Sequence, residues 1–544
     1  MELEILNYRY PGHEAPAISG VGLTVAPASL TLVAGGSGSG KSTLAGIMAG
    51  YLPGRTGGQL AGSISLAGQT LKYDGGAQPY VVDLRQWVRH VAYVPQNARS
   101  YLSMVRSTVE EELAFGLENV GVPRAEMAAR IQSIAGRFHL GPLLQRDPAR
   151  LSGGQERLVA IAAAAVTDAG VLVLDEPLAG LDEPAAARVA ATVRGLRDAG
   201  TAVVILTSVL DTRLSDAGHA LLLENGQSVA EGMPAVRQGA EAAGVVVPGE
   251  PAPAWGGTSS RSPERAARGA TVVPAGGGPG EPESTGGGPV LRYRNVGFSY
   301  PDPERNVRRS RLARGRRRDV SGGAERAAKR RLLDTVRFAV HAGECVALTG
   351  PNGTGKTTLL KMALGLIAPD TGSVSVAGRD TAEASVGQLA KTAGLLFQNP
   401  ADQLFERSVL HEVSFGPPGS RPAPAAVRQA LDACGLTGLE DEHPYELSVS
   451  RRRLVALATV LARRPALMVL DEPTVSLDGH GRKLLGRILA AATGGGAAVL
   501  LSTHDKEFAG AHCQRVVELG RQHALPHEAA APEGISAPDG TSFR

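Results

Sequence analysis

Two short apolar runs, Leu30 to Val33 and Cys345 to Leu348, each end in a glycine-rich stretch. Each stretch then opens into a segment of helical character, Thr43 to Met48 and Thr358 to Leu364. Short apolar runs bounded by glycine predict buried strands, so both places read as strand, loop and helix. A second pair of runs, Val171 to Leu174 and Leu467 to Leu470, ends in Asp-Glu instead. Buried parallel strands of this kind deliver carboxylates to the crevice at their C-terminal ends, where ligands sit. Apolar helical stripes follow Leu151-Ser152 and Leu447-Ser448. The longest apolar run, about Leu158 to Val166, falls well short of the roughly 18 residues that span a bilayer. Any membrane role is therefore expected to be peripheral.

These elements occur twice in the same order. Lys41 and Lys356 stand 315 positions apart, Gln96 and Gln398 302, Leu151 and Leu447 296, and Asp175 and Asp471 296. Self-similarity at four landmarks predicts a duplicated domain. The first copy is expected at residues 1–245 and the second at 290–525. Between them, 246–289 is rich in Pro, Gly, Ser and Ala, a composition that cannot bury enough apolar surface to offset ordering entropy, and reads as a flexible linker. The tail 526–544 reads as disordered for the same reason. In the second copy an arginine-rich stretch, about 304–331, lengthens the interval from Tyr300 to Lys356 by 25 positions relative to Tyr10 to Lys41. It reads as a solvated insertion, with contact to anionic headgroups or to nucleic acid as alternatives.

Composition narrows the class. Across 544 residues, 56 Lys+Arg against 53 Asp+Glu give a formal net charge of +3, which does not announce a nucleic-acid binder. Cys345, Cys434 and Cys513 lie far apart in sequence without C-x-x-C spacing. That argues against a disulfide framework, a zinc finger or an iron–sulfur cluster, and fits a reducing cytoplasm. Met1-Glu2-Leu3-Glu4 has neither a basic n-region nor an apolar h-region, so no signal peptide is expected.

The glycine stretches carry the chemistry. Gly35-Gly36-Ser37-Gly38-Ser39-Gly40-Lys41-Ser42, followed by Thr43, satisfies G-x-x-x-x-G-K-S/T. So does Gly350-Pro351-Asn352-Gly353-Thr354-Gly355-Lys356-Thr357, followed by Thr358. Glycines let successive backbone N–H groups wrap a phosphate at a helix N-terminus. Lys41 and Lys356 are expected to neutralise the β- and γ-phosphates of ATP, and Ser42 and Thr357 to hold Mg²⁺. Asp175 and Asp471 can reach the Mg²⁺ shell, while Glu176 and Glu472 can polarise an attacking water. Asp182 and Asp478 follow seven residues after Asp175 and Asp471.

With Leu151-Ser152-Gly153-Gly154-Gln155 added, the chain resembles two fused nucleotide-binding domains of an ABC transporter, everywhere except the linker, the insertion and the tail. The resemblance implies an α/β fold: two P-loop NTPase (RecA-like) ABC ATPase domains, each with a β-subdomain and a helical signature subdomain, forming a pseudo-dimer. It assigns Gln96 and Gln398 as Q-loop residues near Mg²⁺, and Tyr10 and Tyr300 as adenine-stacking aromatics, with Phe298 an alternative to Tyr300. Phe397-Gln398-Asn399-Pro400-Ala401-Asp402-Gln403-Leu404-Phe405 and the stretch around Phe115 further resemble the energy-coupling factor (ECF) importers of vitamins, vitamin precursors, cobalt or nickel. That narrower likeness implies a transmembrane coupling protein, a separate substrate-binding membrane subunit, a place on the cytoplasmic face of the cell membrane, and no nucleic-acid partner. An exporter ATPase and a soluble twin-ABC protein acting on ribosomes or DNA are the competing classes.

Domains of this family pair head to tail, so each ATP is expected between one copy's phosphate loop and the other's signature. One composite site then has Lys356, Thr357, Gln398, Asp471, Glu472 and the switch residue His504, capped by Ser152-Gly153-Gly154-Gln155. The other has Lys41, Ser42, Gln96, Asp175 and Glu176, capped by Ser448-Val449-Ser450-Arg451, where both glycines are gone. Aligning Ala202–Val209 on Ala497–His504 places Val209 at the switch position, and a valine neither donates to a phosphate nor orients water. The expectation is one complete site and one degenerate site.

Overall fold

The computed structural model describes residues 1–54, 57–76, 82–249, 271–274, 288–301, 329–416 and 421–520. The tail 526–544 and the arginine-rich insertion up to residue 328 lie outside the described residues.

Each copy is built from two sheets. In the first, β1 (Glu2–Arg9), β2 (Ile18–Thr24), β4 (Gln59–Leu66) and β5 (Gln69–Asp74) form an antiparallel sheet in the order β2-β1-β4-β5. The second sheet runs β10-β9-β3-β8-β7-β6 through β3 (Leu30–Gly35), β6 (Val91–Val94), β7 (Val171–Asp175), β8 (Ala202–Thr207), β9 (His219–Glu224) and β10 (Gln227–Glu231). All its pairings are parallel except β10 on β9. The second copy repeats this plan. Strands β12 (Leu291–Pro301), β13 (Lys329–Val340), β15 (Thr371–Val376) and β16 (Arg379–Asp380) make the antiparallel sheet. Strands β14 (Cys345–Thr349), β17 (Ala393–Leu396), β18 (Leu467–Asp471), β19 (Ala498–Ser502) and β20 (Arg515–Glu518) make the parallel one, with β11 (Thr271–Pro274) beside β20. The unstructured-linker expectation therefore does not hold at Thr271–Pro274, where β-prone Val272-Val273 complete the sheet edge.

The central strands are buried on both faces, and their side chains alternate between two cores. In β3, Leu30, Leu32 and Ala34 join the core under the helices, while Val33 joins the core against the antiparallel sheet. In β14, Cys345 and Ala347 face one core and Val346 and Leu348 the other. Burial of each such leucine contributes roughly 1.5–3 kcal/mol to holding these strands in the core. The fold also brings together two cysteines that the sequence separates. Cys345 Sγ lies 3.2 Å from Cys513 Sγ, both free and buried. The contact with Cys513, and then burial, push the Cys345 thiol up.

Six helices frame the candidate site: α1 (Lys41–Met48), α2 (Gly153–Ala165), α3 (Glu183–Asp198), α4 (Lys356–Ala363), α5 (Val449–Ala462) and α6 (Gly479–Gly494). Their starts follow capping chemistry. Asp182 accepts from Ala185 N–H at 3.0 Å, Asp478 from Gly481 N–H at 2.8 Å, and Ser152 forms a capping box with Gln155. Among the described residues, no helix is long and apolar enough to cross a membrane.

Candidate active site

Both phosphate loops leave the end of a central strand and turn into a helix through a left-handed glycine. Gly40 (φ 98°) precedes α1 and Gly355 (φ 101°) precedes α4, a backbone region that only glycine enters without strain. Lys41 Nζ donates to Gly35 O at 2.6 Å and Gly36 O at 2.8 Å; Lys356 Nζ donates to Gly350 O at 2.7 Å and Pro351 O at 3.3 Å. Burial pulls both ammonium groups below the usual lysine range, and the neighbouring carboxylates oppose the shift.

The expected metal-binding pairs meet. Ser42 Oγ donates to Asp175 Oδ2 at 3.0 Å, and Thr357 Oγ1 donates to Asp471 Oδ2 at 3.0 Å. Burial, first among the causes, pushes both carboxyls up. Sequence reasoning missed a second hydroxyl on each carboxylate: Tyr93 reaches Asp175 at 3.4 Å and Ser502 reaches Asp471 at 2.5 Å. The copies fill this role from different strands, so no shared motif signals it. Tyr10 Oη lies 3.1 Å from Thr43 Oγ1, and Tyr300 Oη 3.4 Å from Thr358 Oγ1. Of the two candidates in the second copy Tyr300 is 42% exposed, while Phe298 is partly buried against the core, which favours Tyr300. Gln96 lines the cavity beside Lys41, and Gln398 is exposed.

The two glutamates after β7 and β18 share an unusual backbone: Glu176 has φ 48° and Glu472 φ 49°. Side-chain-bearing residues seldom adopt this region, and such strain persists where the surroundings over-determine it. In the second copy His504 Nδ1 stands 3.0 Å from Glu472 Oε1, a close approach that does not meet hydrogen-bond geometry. Glu472 Oε2 is buried without a hydrogen-bond partner among the described residues. In the first copy burial pushes the Glu176 carboxyl up; Thr207 Oγ1 donates to Glu176 Oε2 at 3.4 Å, and its other hydrogen-bonding neighbour is Ser208.

That partner corrects the sequence alignment. Asp175 pairs with Leu206 across the sheet, and Asp471 pairs with Ser502. Val209 N–H donates to Thr207 Oγ1 at 3.1 Å, as Asp505 N–H does to Thr503 Oγ1 at 3.0 Å. Ser208, not Val209, therefore occupies the place of His504. The cause is a one-residue slip along an uninterrupted apolar strand, where hydrophobicity alone does not fix register. The threonine before the switch residue, present in both copies, is the signal that marks it.

The copies face each other head to tail. Ser37 N–H, in the first phosphate loop, donates to Asp478 Oδ2 at 2.8 Å, and Asn352 N–H, in the second, donates to Asp182 Oδ2 at 3.0 Å. Each aspartate thus caps its own helix and clamps the opposite loop. A cavity of about 1330 Å³ runs along this seam, lined by Ser37–Thr43, Gln96, Asp175 and Glu176 on one side and Ser448, Val449 and Ser450 on the other.

The signature helices differ in a way the sequence concealed. A Cβ on Gly154 would lie 2.8 Å from Ala185 Cβ, so this glycine serves the packing of α2 on α3. In the second copy the pair is exchanged: Ser450 replaces the glycine, and Gly481 on α6 replaces the alanine. Loss of the second signature glycine is thus compensated within its own copy. Gly153 is different, since a Cβ there meets nothing within 4 Å. Its counterpart Val449 is 39% exposed and lines the cavity. Gln155, expected at the nucleotide, accepts instead from its own Ser152 N–H at 3.1 Å. Ser448 accepts from Arg451 N–H at 3.3 Å, without a returning side chain.

The exchange makes a stability prediction. A Cβ on Gly481 would sit 3.1 Å from both Leu477 Cδ2 and Ser450 Oγ. Gly481→Ala is expected to overpack the contact by about 1–3 kcal/mol, and Ser450→Gly added to it is expected to restore the apparent melting temperature. Failure of the double variant to recover any stability would reject the compensation.

Comparison with known proteins agrees with this geometry. The ABC transporter family matches residues 18–179 and 333–475. An ABC transporter ATP-binding protein of Methanosarcina mazei, so named provisionally, is 31% identical over 525 residues, 95% of this chain and 93% of the relative. A Streptomyces coelicolor protein of the same provisional name is 32% identical over 553 residues, covering 99% and 95% respectively. The solved structure of ribosome-bound archaeal Pelota and ABCE1 shares the fold, with TM-score 0.60 and 18% identity over 94% of this chain and 76% of that one. This chain belongs to the ABC transporter family and carries two of its ATPase domains in a single polypeptide.

Proposed function

We propose that this chain is the ATP-hydrolysing subunit of a membrane importer of the ECF type, moving a vitamin, a vitamin precursor, or cobalt or nickel, and that it turns over ATP at only one of its two composite sites. The observation that carries the asymmetry is the 3.0 Å approach of His504 Nδ1 to Glu472 Oε1, opposed by Ser208 beside Glu176. In this reading residues 1–245 and 290–525 are the two domains. Lys356 and the loop Gly350–Thr358 hold the triphosphate, Tyr300 stacks on adenine, and Ser152 and Gly153 cap it. Glu472 takes the proton of the attacking water, and His504 and Gln398 orient that water.

The donor set fits Mg²⁺: one hydroxyl and one carboxylate per site, Ser42 with Asp175 and Thr357 with Asp471, joined by Gln96 and Gln398. Among the described residues no cluster of three or more His, Cys, Asp or Glu is placed to hold a metal alone. That suits an ion completed by water and substrate phosphates. When bound there, Mg²⁺ would neutralise charge that develops on the transferred phosphate. The Lys41 site, with Tyr10, Ser37 to Thr43 and the Ser448 cap, binds MgATP and holds the copies together while hydrolysing slowly through Glu176.

The membrane role is supported by exposed apolar side chains in the second copy. Phe405 and Phe415 pack edge-on with ring centroids 4.6 Å apart and remain exposed, as do Phe397, Leu410 and Tyr445. Exposed apolar clusters mark docking surfaces. Here the occupants are the transmembrane coupling protein and, through it, the substrate-binding subunit, at the cytoplasmic face of the membrane. Mild-detergent purification of the chain from membranes is expected to bring down both partners. Recovery with ribosomes, in keeping with the structural likeness to ABCE1, overturns the importer reading.

A further inference from the structure

We infer that Arg453 is a positioning residue for Glu472, locking the backbone of the base to the backbone of Gln398. The inference rests on the proposed role of Glu472.

Arg453 lies on α5, five positions after Ser448, and is only 3% exposed. Its Nη1 donates to Glu472 O at 2.8 Å, and its Nη2 donates to Gln398 O. Burial lowers its pKa to about 10, with Glu472 and Asp471 opposing the shift, so the guanidinium stays charged at neutral pH. A buried cation placed on two carbonyl oxygens uses the planar fork that arginine has and lysine lacks.

The carbonyl it holds belongs to a strained residue. Glu472, at φ 49°, is secured on its N–H side by Ser502, through O at 3.1 Å and Oγ at 3.0 Å. Arg453 secures the other side of the same residue. The carboxylate direction therefore depends on a clamp whose second arm ends on the Q-loop, so a shift of Gln398 reaches Glu472 through one rigid side chain.

The first copy provides an internal comparison. Arg157 occupies the matching place on α2 and is also buried, yet its Nη1 finds no partner among the described residues. Among the described residues Arg453, although its Nε is unpartnered, bridges two carbonyls in the copy with the His504–Glu472 pair, and Arg157 makes no such bridge where Ser208 stands.

The test is steady-state ATPase kinetics of the full chain, in its purified complex, with Arg453→Lys, Arg157→Lys and Glu472→Gln side by side. Lysine keeps the charge but has one nitrogen in place of the two that reach Glu472 O and Gln398 O. Arg453→Lys is expected to lower kcat by about 10- to 100-fold with little change in the KM for ATP. Arg157→Lys is expected to leave both unchanged. To separate misfolding from misplacement, kcat is expressed per molecule that binds a fluorescent non-hydrolysable ATP analogue. Wild-type kcat per competent molecule in Arg453→Lys overturns the inference, and so do equal losses in the two arginine variants, which indicate a structural role in both copies. Full activity in Glu472→Gln instead removes the assignment of the base on which the inference rests, a result separable from either.

Discussion

Glu472→Gln is expected to reduce ATP turnover by about 100-fold or more, the usual loss when a general base is removed, while Glu176→Gln leaves most of it intact. The amide preserves volume in a buried site but cannot accept the proton of an attacking water. Glu472 stands 3.0 Å from His504 Nδ1, and its second oxygen has no hydrogen-bond partner among the described residues. Glu176 has the same strained backbone, but Ser208 faces it and Val449 lines the opposite wall. Serine supplies a hydroxyl, not an imidazole that can carry charge, so this carboxylate lacks the partner that would orient water and phosphate together. Phosphate release by each variant of the full chain decides the matter. Equal losses from the two substitutions would sink the asymmetry.

Gly153→Val should come close to the same loss. A side chain at Gly153 meets nothing within 4 Å, so valine fits without disturbing the helix packing. Ser152 keeps its capping position, and valine is a few tenths of a kcal/mol better in a helix than glycine. The new branched side chain instead projects into the space expected between the signature and the nucleotide at Lys356. Loss of close backbone donors at such a site costs about 100-fold or more in turnover. Val449→Gly is the reciprocal change and is expected to tighten nucleotide retention at the Lys41 site without raising total turnover. If Gly153→Val hydrolyses ATP at the wild-type rate with an unchanged melting temperature, Leu447-Ser448-Val449-Ser450-Arg451 is a working signature variant.

Much of the site was legible because its chemistry is local. The phosphate loops lie within eight consecutive positions, and each acidic pair follows its apolar strand directly. Four landmarks repeated in the same order then made the duplication plain. The errors have one origin. Along Ala202 to Leu206 nearly every residue is apolar and buried on both faces, so a slip of one position costs nothing in pattern. That is why Val209 stood in for Ser208. The second signature glycine misled for a related reason, since its role is set by Ala185, about thirty positions away and on another helix. Gln155 was assigned to the nucleotide by family likeness, although a glutamine three residues after a serine cap also satisfies a capping box.

By itself, then, the sequence determined two P-loop domains, the residues of their glycine loops and acidic pairs, and the loss of the glycines from the second signature. These follow from residue type and short spacing, which the chain carries wherever it folds. Tertiary structure alone decided which substitutions matter. It set Ser208 against Glu176, sent Val449 into the cavity, absorbed Ser450 against Gly481, and placed Asp182 and Asp478 on the opposite phosphate loops. Each of those outcomes is a contact between segments far apart in the chain. Sheet register and helix packing determine such contacts, and no local pattern encodes them.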